Sequence, residues 1–417
     1  MTLNFLNEIQ HGTNSGVAYK NIRLKKHILS YFAQNETATI AELSKEFNVS
    51  VPKINECISE LIQDRLVKDY GKTTATVGRK PNSYGLAASA AYFIGVQVGT
   101  DSLSIAMINL KKDIVAQKED IPYHLENNEE SLKLICDNIM EFISKQSINK
   151  EYILGIGINL SGRINYRTGY SYSYFNFYED PLSTYFENAI GIPTYLENDT
   201  KALSYAEFSS GVLTNEKDAL YVNIDNGIGL GILINGQLYY GKSGFSGEFG
   251  HIPIFDNEII CKCGKKGCLE TEASGRALRA KIIEEINAGA SSILTKKFSN
   301  IEDIRLNDII LAAKKDDNLS IEAINYIGDK LGRGIASLIN IFNPELIIIG
   351  GTLAKSGEYL SLPLKNAINK YSLSIVNRDT KITLSSNGEK LAAYGACLLL
   401  RDRLLEITEL HLSKEAI

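Results

Sequence analysis

The chain has no tryptophan, only 8 prolines and 6 cysteines among its 417 residues, and no long uninterrupted apolar run. Each shortage excludes something. A bilayer-spanning helix needs about 20 consecutive apolar residues, so none is expected. The opening MTLNFLNEIQ lacks a basic stretch followed by an apolar one. No secretory leader is therefore expected, and a cytoplasmic location is the default. Few prolines beside 33 glycines rule out collagen-like or low-complexity sequence. Six cysteines in so long a chain are too few for a disulfide scaffold. Without tryptophan, no strong intrinsic fluorophore reports on ligand binding. What remains is ordinary globular material, 44% hydrophobic and 22% charged. At roughly 100–200 residues per domain, two or three domains are expected.

Excess positive charge is missing too. With 44 basic and 49 acidic residues the net charge is -5, which argues against indiscriminate nucleic-acid binding. The deficit is uneven. Residues 1–86 carry 11 basic and 8 acidic residues, a net of +3, which leaves -8 for the other 331.

That basic N-terminal segment has the pattern of a winged helix-turn-helix. Residues 1–20 are polar and aperiodic and read as a flexible arm; residues 21–86 form the DNA-binding domain. Ile22, Leu24, Ile28, Leu29 and Phe32 recur at helical spacing. A second helix is predicted over 39–47, with Ile40, Leu43 and Phe47 turned inward. Asn48 to Ser50 makes the turn, with Ser50 as N-cap and Pro52 allowed in the first turn of a third helix over 51–65. In that helix Val51, Ile54, Ile58, Leu61 and Ile62 form the apolar set, leaving Pro52, Lys53, Asn55 and Glu56 outside. The N-terminal part of a recognition helix meets base edges there. Two extended pieces, 66–72 and one ending at Leu86, form a hairpin whose loop holds Gly78-Arg79-Lys80-Pro81, a basic tip suited to phosphates or a minor groove. Candidate DNA contacts are Ser50, Pro52, Lys53, Asn55, Arg79 and Lys80. An ordinary three-helix domain is the plainer alternative.

From Ala87 onward, strands and helices alternate. Strands are predicted over 92–99, 103–110 and 113–121, a helix over 129–147 and a strand over 152–158. A second unit of the same kind opens at 219–224 and continues at 227–234 and 237–240. Two such units make an α/β molecule of two lobes.

The most specific signal is a cysteine/histidine cluster. Gly247-Glu-Phe-Gly-His251 is followed by Cys261-Lys-Cys263-Gly-Lys-Lys-Gly-Cys268-Leu-Glu270, which places one imidazole and three thiols between positions 251 and 268. His251, Cys261, Cys263 and Cys268 make a complete tetrahedral set for a structural zinc, with no position left open for water. Another thiophilic metal, or buried free thiols, would use the same residues.

This segment resembles the signature of the ROK family of sugar kinases and sugar-responsive repressors. With the winged helix, the chain is similar to its NagC/Mlc/XylR-type repressor branch over essentially its whole length. Ile156-Gly-Ile-Asn-Leu-Ser-Gly162 resembles the family's sugar-side loop, and Gly191-Ile-Pro-Thr-Tyr-Leu-Glu-Asn-Asp199 the segment with its Asn-Asp pair. The stretches from Leu331 to Gly351 and from Ala392 to Ala396 resemble its C-terminal parts. The resemblance implies a two-lobed, actin-like (ribonuclease H-like) sugar-binding module. Its first lobe would be 87–198 plus 385–417, and its second lobe, with the zinc loop, 199–384. It also implies that Asn198, Asp199, Gly162, Glu248, His251 and Glu270 face a sugar, with His251 serving metal and sugar at once.

Phosphate binding is where the sequence departs from the family's kinases. Their Asp-x-Gly-Gly-Thr loop stands here as Gln97-Val-Gly-Thr-Asp101, and their Gly-Thr-Gly-x-Gly as Asp225-Asn-Gly-Ile-Gly229. A magnesium-holding acid is gone, and two carboxylates stand where phosphates belong. Ser161 replaces the proline expected before Gly162. Asp199 is thus a vestigial base, and no catalytic residue is expected. The expected protein is a kinase-inactive sensor that binds operator DNA as a homodimer or homotetramer. Its effector is a sugar or sugar phosphate, and no membrane is involved. An active ATP-dependent sugar kinase with an attached DNA-binding domain is the alternative. A module answering to a partner protein is a third reading.

Overall fold

The computed structural model describes residues 16–72, 81–385 and 391–407, with side chains from residue 20 onward. Arg79 and Lys80 lie outside the described residues, as do residues 1–15 of the N-terminal arm. The chain divides into two compact units, crossing between them at Ala202/Leu203 and Leu391/Ala392. Among the described residues, no helix is long and apolar enough to cross a membrane.

The first unit opens with the winged helix: α1 (Gly16–Asn35), β1 (Thr37–Thr39), α2 (Ile40–Phe47), α3 (Val51–Gln63), β2 (Val67–Lys72) and β3 (Asn82–Leu86). Helix α1 begins at Gly16, inside the stretch read as an arm, because no proline interrupts residues 16–20 and the helix continues through them. A capping box fixes the start of α2: Thr39 accepts from the Glu42 N–H, and Glu42 accepts from the Thr39 N–H. Asn48 in the left-handed conformation ends it and makes the turn.

Two expectations for α3 need correction. Its buried stripe is Ile54, Cys57, Ile58 and Leu61, whereas Val51 is 52% and Ile62 38% exposed. At 100° per residue, Ile62 is rotated away from the line set by the other four. Val51 sits in the first turn, where no preceding turn of helix shelters it. Ser50 occupies the N-cap position, but its side chain makes no capping hydrogen bond. Strand β1 is too short to show a period in the sequence. It pairs with β3, which pairs with β2, so the wing is a three-stranded sheet closed onto the helices.

The rest of the first unit is a five-stranded sheet of β4 (Tyr92–Val98), β5 (Ser102–Asn109), β6 (Ile114–Pro122), β7 (Ile153–Leu160) and, after the short hairpin β8 (Ile164–Asn165) and β9 (Tyr170–Ser171), β10 (Thr194–Asn198). Its order is β10-β7-β4-β5-β6, with β5 antiparallel to both neighbours and β4, β7 and β10 parallel. Helices α4 (Glu129–Ser144) and α5 (Leu182–Ile190) bury Leu132, Ile135, Ile139 and Phe186 on one face. The helix Ala392–Leu404 packs on β4, β5 and β7. Its backbone comes so close that a Cβ on Gly95 would lie 2.0 Å from the Ala393 carbonyl oxygen, and one on Gly157 2.9 Å from that of Ala396. Only glycine lets strand and helix backbones approach to that distance.

The second unit repeats the plan. β11 (Ala219–Ile224), β12 (Ile228–Ile234), β13 (Gln237–Leu238), β14 (Leu346–Gly350) and β15 (Lys381–Leu384) pair in the order β13-β12-β11-β14-β15, with the same parallel and antiparallel partners as the first sheet. The helix Asn318–Phe342 buries Ile324, Ile327, Leu331, Ile335 and Ile339 in its core. Two copies of one strand order, each with a parallel trio on one side and an antiparallel flank on the other, make the actin-like architecture.

Candidate metal centre, sugar-side residues and DNA-facing helix

In the second unit, His251, Cys261, Cys263 and Cys268 converge until their ligand atoms all lie within 4.8 Å of one another. The cluster could hold a metal ion. Cys261 Sγ lies 3.5 Å from His251 Nδ1, and Cys263 Sγ lies 3.7 Å from Cys268 Sγ. Gly264 and Gly267 take φ of +83° and +70°, turning the loop so that its three sulfurs face inward. Isolated bridges between Pro253 and Cys268 and between Ile260 and Lys266 stitch the loop to itself.

Burial, then the Glu270 carboxylate, pushes the Cys261 thiol up; burial also raises Cys268. Burial would raise Cys263 as well, but the Lys265 N–H and the neighbouring sulfurs outweigh it and hold that thiol down. A bound cation would reverse the balance at Cys261 and Cys268 and reinforce it at Cys263, since a coordinating thiol is deprotonated outright.

Around this cluster stand two acids. Glu270, buried, has Oε1 2.8 Å from Cys261 Sγ and 3.6 Å from His251 Nδ1. Glu248, exposed, has Oε2 3.7 Å from His251 Nε2. The imidazole thus offers Nδ1 to the cluster and Nε2 to the side where Glu248 stands. The structure brings Glu248, His251 and Glu270 together as a polar group within this unit.

In the first unit, Asn198 and Asp199 sit where β10 passes into α6 (Asp199–Glu207). Asn198 Nδ2 donates to the Gly162 carbonyl at 2.9 Å, while its Oδ1 accepts from the Lys201 N–H at 3.1 Å. One side chain therefore ties the Gly162 turn to the start of a helix. Burial raises the Asp199 carboxyl above the usual range. Hydrogen bonds from the Thr200 N–H (2.6 Å), the Ser161 hydroxyl and the Thr200 hydroxyl oppose the shift without cancelling it. Ser161 thus has a contact that its place in the sequence did not suggest.

The substituted phosphate loops have partners of their own. Gln97 Oε1 accepts from Asn159 Nδ2 at 3.2 Å, and exposed Asp101 lies 3.0 Å from His124 Nδ1. Thr352 Oγ1 donates to Asp225 Oδ2 at 3.2 Å, and the Gly275 N–H donates to the Asp225 carbonyl at 2.8 Å. Both acids are drawn into local structure.

On α3, Ser50, Pro52 and Asn55 are exposed, and Lys53 is half-buried because its ammonium reaches Glu56 at 2.9 Å. Sequence reasoning did not pair those two. It also gave no role to Glu197 or Arg403, which meet at 2.8 Å. They are 206 positions apart, and no local pattern links them.

Comparison with known proteins agrees with the fold. A winged helix-turn-helix DNA-binding model matches residues 23–68, and the ROK family model matches residues 93–403. A xylose repressor of Caldicellulosiruptor bescii is 29% identical over 92% of this chain and 96% of its own. A glucokinase of Halalkalibacterium halodurans is also 29% identical, over 76% of this chain and 96% of its own. The crystal structure of a ROK family transcriptional regulator, a homologue of the Escherichia coli MLC protein, superposes with a TM-score of 0.75 at 28% identity, covering 93% of this chain and 99% of that one. The chain belongs to the ROK family, with a winged helix-turn-helix ahead of the family module.

Proposed function

We propose that this protein is a sugar-responsive, DNA-binding transcriptional repressor of carbohydrate uptake or catabolism genes, and that it has no kinase activity. The observation carrying this reading is the pairing, on one chain, of a winged helix with a ROK module whose phosphate loops hold Gln97, Asp101 and Asp225. Two carboxylates oppose a polyanionic nucleotide, and the winged helix supplies the output instead. Operator DNA meets Ser50, Pro52, Lys53 and Asn55, with Arg79 and Lys80 from the wing loop. Two copies in a homodimer or homotetramer read a pseudo-palindromic operator.

We assign sugar hydroxyl recognition to Asn198, Asp199 and Gly162 in the first unit and to Glu248, His251 and Glu270 in the second. The metal is zinc in a structural role. A tetrahedral zinc sets its sulfurs about 3.8 Å apart and a sulfur and an imidazole nitrogen about 3.6 Å apart. The Cys263–Cys268 and Cys261–His251 separations of 3.7 and 3.5 Å match those values, within a set that spreads to 4.8 Å. Zinc would hold the Nδ1 face of His251 and thereby orient Nε2. The sugar acts through different affinity for two states of the protein.

The test is fluorescence anisotropy of the full chain on labelled DNA from upstream of its own gene, at fixed salt. Binding is measured with and without xylose, glucose, N-acetylglucosamine and their phosphates. DNA binding altered by one of them supports the reading; DNA binding that no sugar changes removes the sugar-sensor part. The glucokinase relative and the retained Asn198-Asp199 pair favour a second reading, an active kinase. Sugar-dependent ADP release from ATP would establish that reading and overturn ours.

A further inference from the structure

The Asn198–Asp199 corner and the winged helix are both reached by the last turn of the helix Ala392–Leu404 and the residues just after it. The Asn198 N–H donates to Glu197 Oε1 at 2.9 Å, and the other oxygen of that carboxylate accepts from Arg403 Nη2 at 2.8 Å. Glu197 is 5% exposed, so its charge has little water to fall back on and is paired with Arg403. The Arg403 guanidinium also lies 4.7 Å from the ring centroid of Tyr166, between β8 and β9, in the hairpin that follows the Gly162 turn. One arginine therefore touches both segments that lead to the proposed sugar residues.

Three positions on, Glu406 forms an ion pair with Lys26 of α1, whose side chain is only 12% exposed. A second strut leaves the same turn. Buried Arg401 donates through Nε to the Leu110 carbonyl at 2.8 Å. The next residue, Lys111, donates to the Tyr70 hydroxyl of β2 at 3.2 Å, with its ammonium 4.9 Å from the ring centroid. Tyr70 in turn donates to the Leu86 carbonyl at 2.8 Å. The glycine floor at Gly95 and Gly157 binds this helix to its sheet.

We propose that this last turn couples effector to DNA: Arg403 and Glu406 are positioning residues through which occupancy of the Asn198–Asp199 corner sets the stance of α1, with Lys111 and Tyr70 steadying the wing. The inference rests on the sugar-sensor reading above. A purely structural tether would change DNA affinity equally with and without sugar. A coupling element changes the ratio of the two affinities and leaves sugar affinity alone.

The experiment uses the full chain and whichever of xylose, glucose, N-acetylglucosamine or their phosphates alters DNA binding of the wild type. DNA affinity is measured with and without that sugar, and sugar affinity by calorimetry, for Glu406→Gln, Lys26→Met and the swap Lys26→Glu/Glu406→Lys. The single variants should keep sugar affinity within two-fold while the ratio of DNA affinities falls at least three-fold, and the swap should restore at least half of it. Single variants with the wild-type ratio, or a folded swap no better than they are, overturn the inference. A wild type that answers to no sugar overturns the sensor reading and takes this inference down with it. A wild type that answers while Glu406→Gln answers equally overturns the inference alone.

Discussion

Replacing Cys268 by serine tests the metal centre most directly. Cys268 is fully buried, lies 3.7 Å from Cys263 Sγ, and closes the loop that begins at His251. A metal bound by the four side chains would cross-link the segment from His251 to Cys268. Treated as loop closure, the cross-link removes about 11 cal/mol/K from the unfolded chain, or about 3 kcal/mol at 25 °C. In a unit of this size each kcal/mol moves the midpoint by roughly 2–4 °C, so losing the metal should lower the second unit's transition by roughly 6–12 °C. Thermal unfolding would be followed by circular dichroism, because the chain lacks tryptophan, with and without a strong chelator. Wild-type protein should drop to the midpoint of Cys268→Ser on chelation, and Cys268→Ser should ignore the chelator. A wild-type midpoint that does not move on chelation, or a Cys268→Ser protein as stable as wild type, would refute the reasoning.

Four further outcomes are expected. Ile54→Ala, at a fully buried position of α3, should cost about 2–5 kcal/mol in urea unfolding of the winged helix; a loss under about 1 kcal/mol would mean the site collapses around the gap. Gly95→Ala places a methyl 2.0 Å from a backbone oxygen and should destabilise the first unit by about 1–3 kcal/mol, and an unchanged midpoint would contradict the close approach. Asp199→Asn should weaken sugar binding yet be no less stable than wild type at neutral pH. Because the native carboxyl titrates above its unfolded value, its favourable contribution is present below the unfolded pKa and is lost as pH rises through the native one; wild type alone should show that decline in pH-dependent unfolding. Lys53→Ala should reduce the slope of log affinity against log salt by about 0.9 for each phosphate that Lys53 neutralises, and an unaltered slope would remove Lys53 from the DNA-binding residues.

The legible parts of this protein were those written in short-range pattern. Leu43 and the Ile54, Ile58, Leu61 stripe show in helical spacing, and the metal set shows because its four ligands all fall between positions 251 and 268. Val51 and Ile62 misled because a hydrophobic residue at a helix margin is apolar without being covered. β1 escaped because so short a strand carries no period, and it is made a strand only by β3, which begins at Asn82. Ser50 shows that a favoured residue at an N-cap position need not make the bond that favours it. The Arg403–Glu197 and Lys26–Glu406 pairs lie 206 and 380 positions apart, where only the folded sheet brings partners together.

The glycine-floored seat of the Ala392–Leu404 helix also sets an order of events during synthesis. The winged helix and β4 to β10 are complete by Asn198, but the helix that covers Gly95 and Gly157 emerges only after the whole second unit has been made. At about 5–20 residues per second, that interval lasts roughly 10–40 s. Through it, a nascent chain carries a finished DNA-reading head beside an uncovered glycine face on β4 and β7. Lys26 has not yet met Glu406, and Leu110 has not yet met Arg401. Ribosome-bound chains stalled before Ala392 should therefore engage DNA without answering to an effector. On the coupling proposed above, control over the head arrives only after both units have been made.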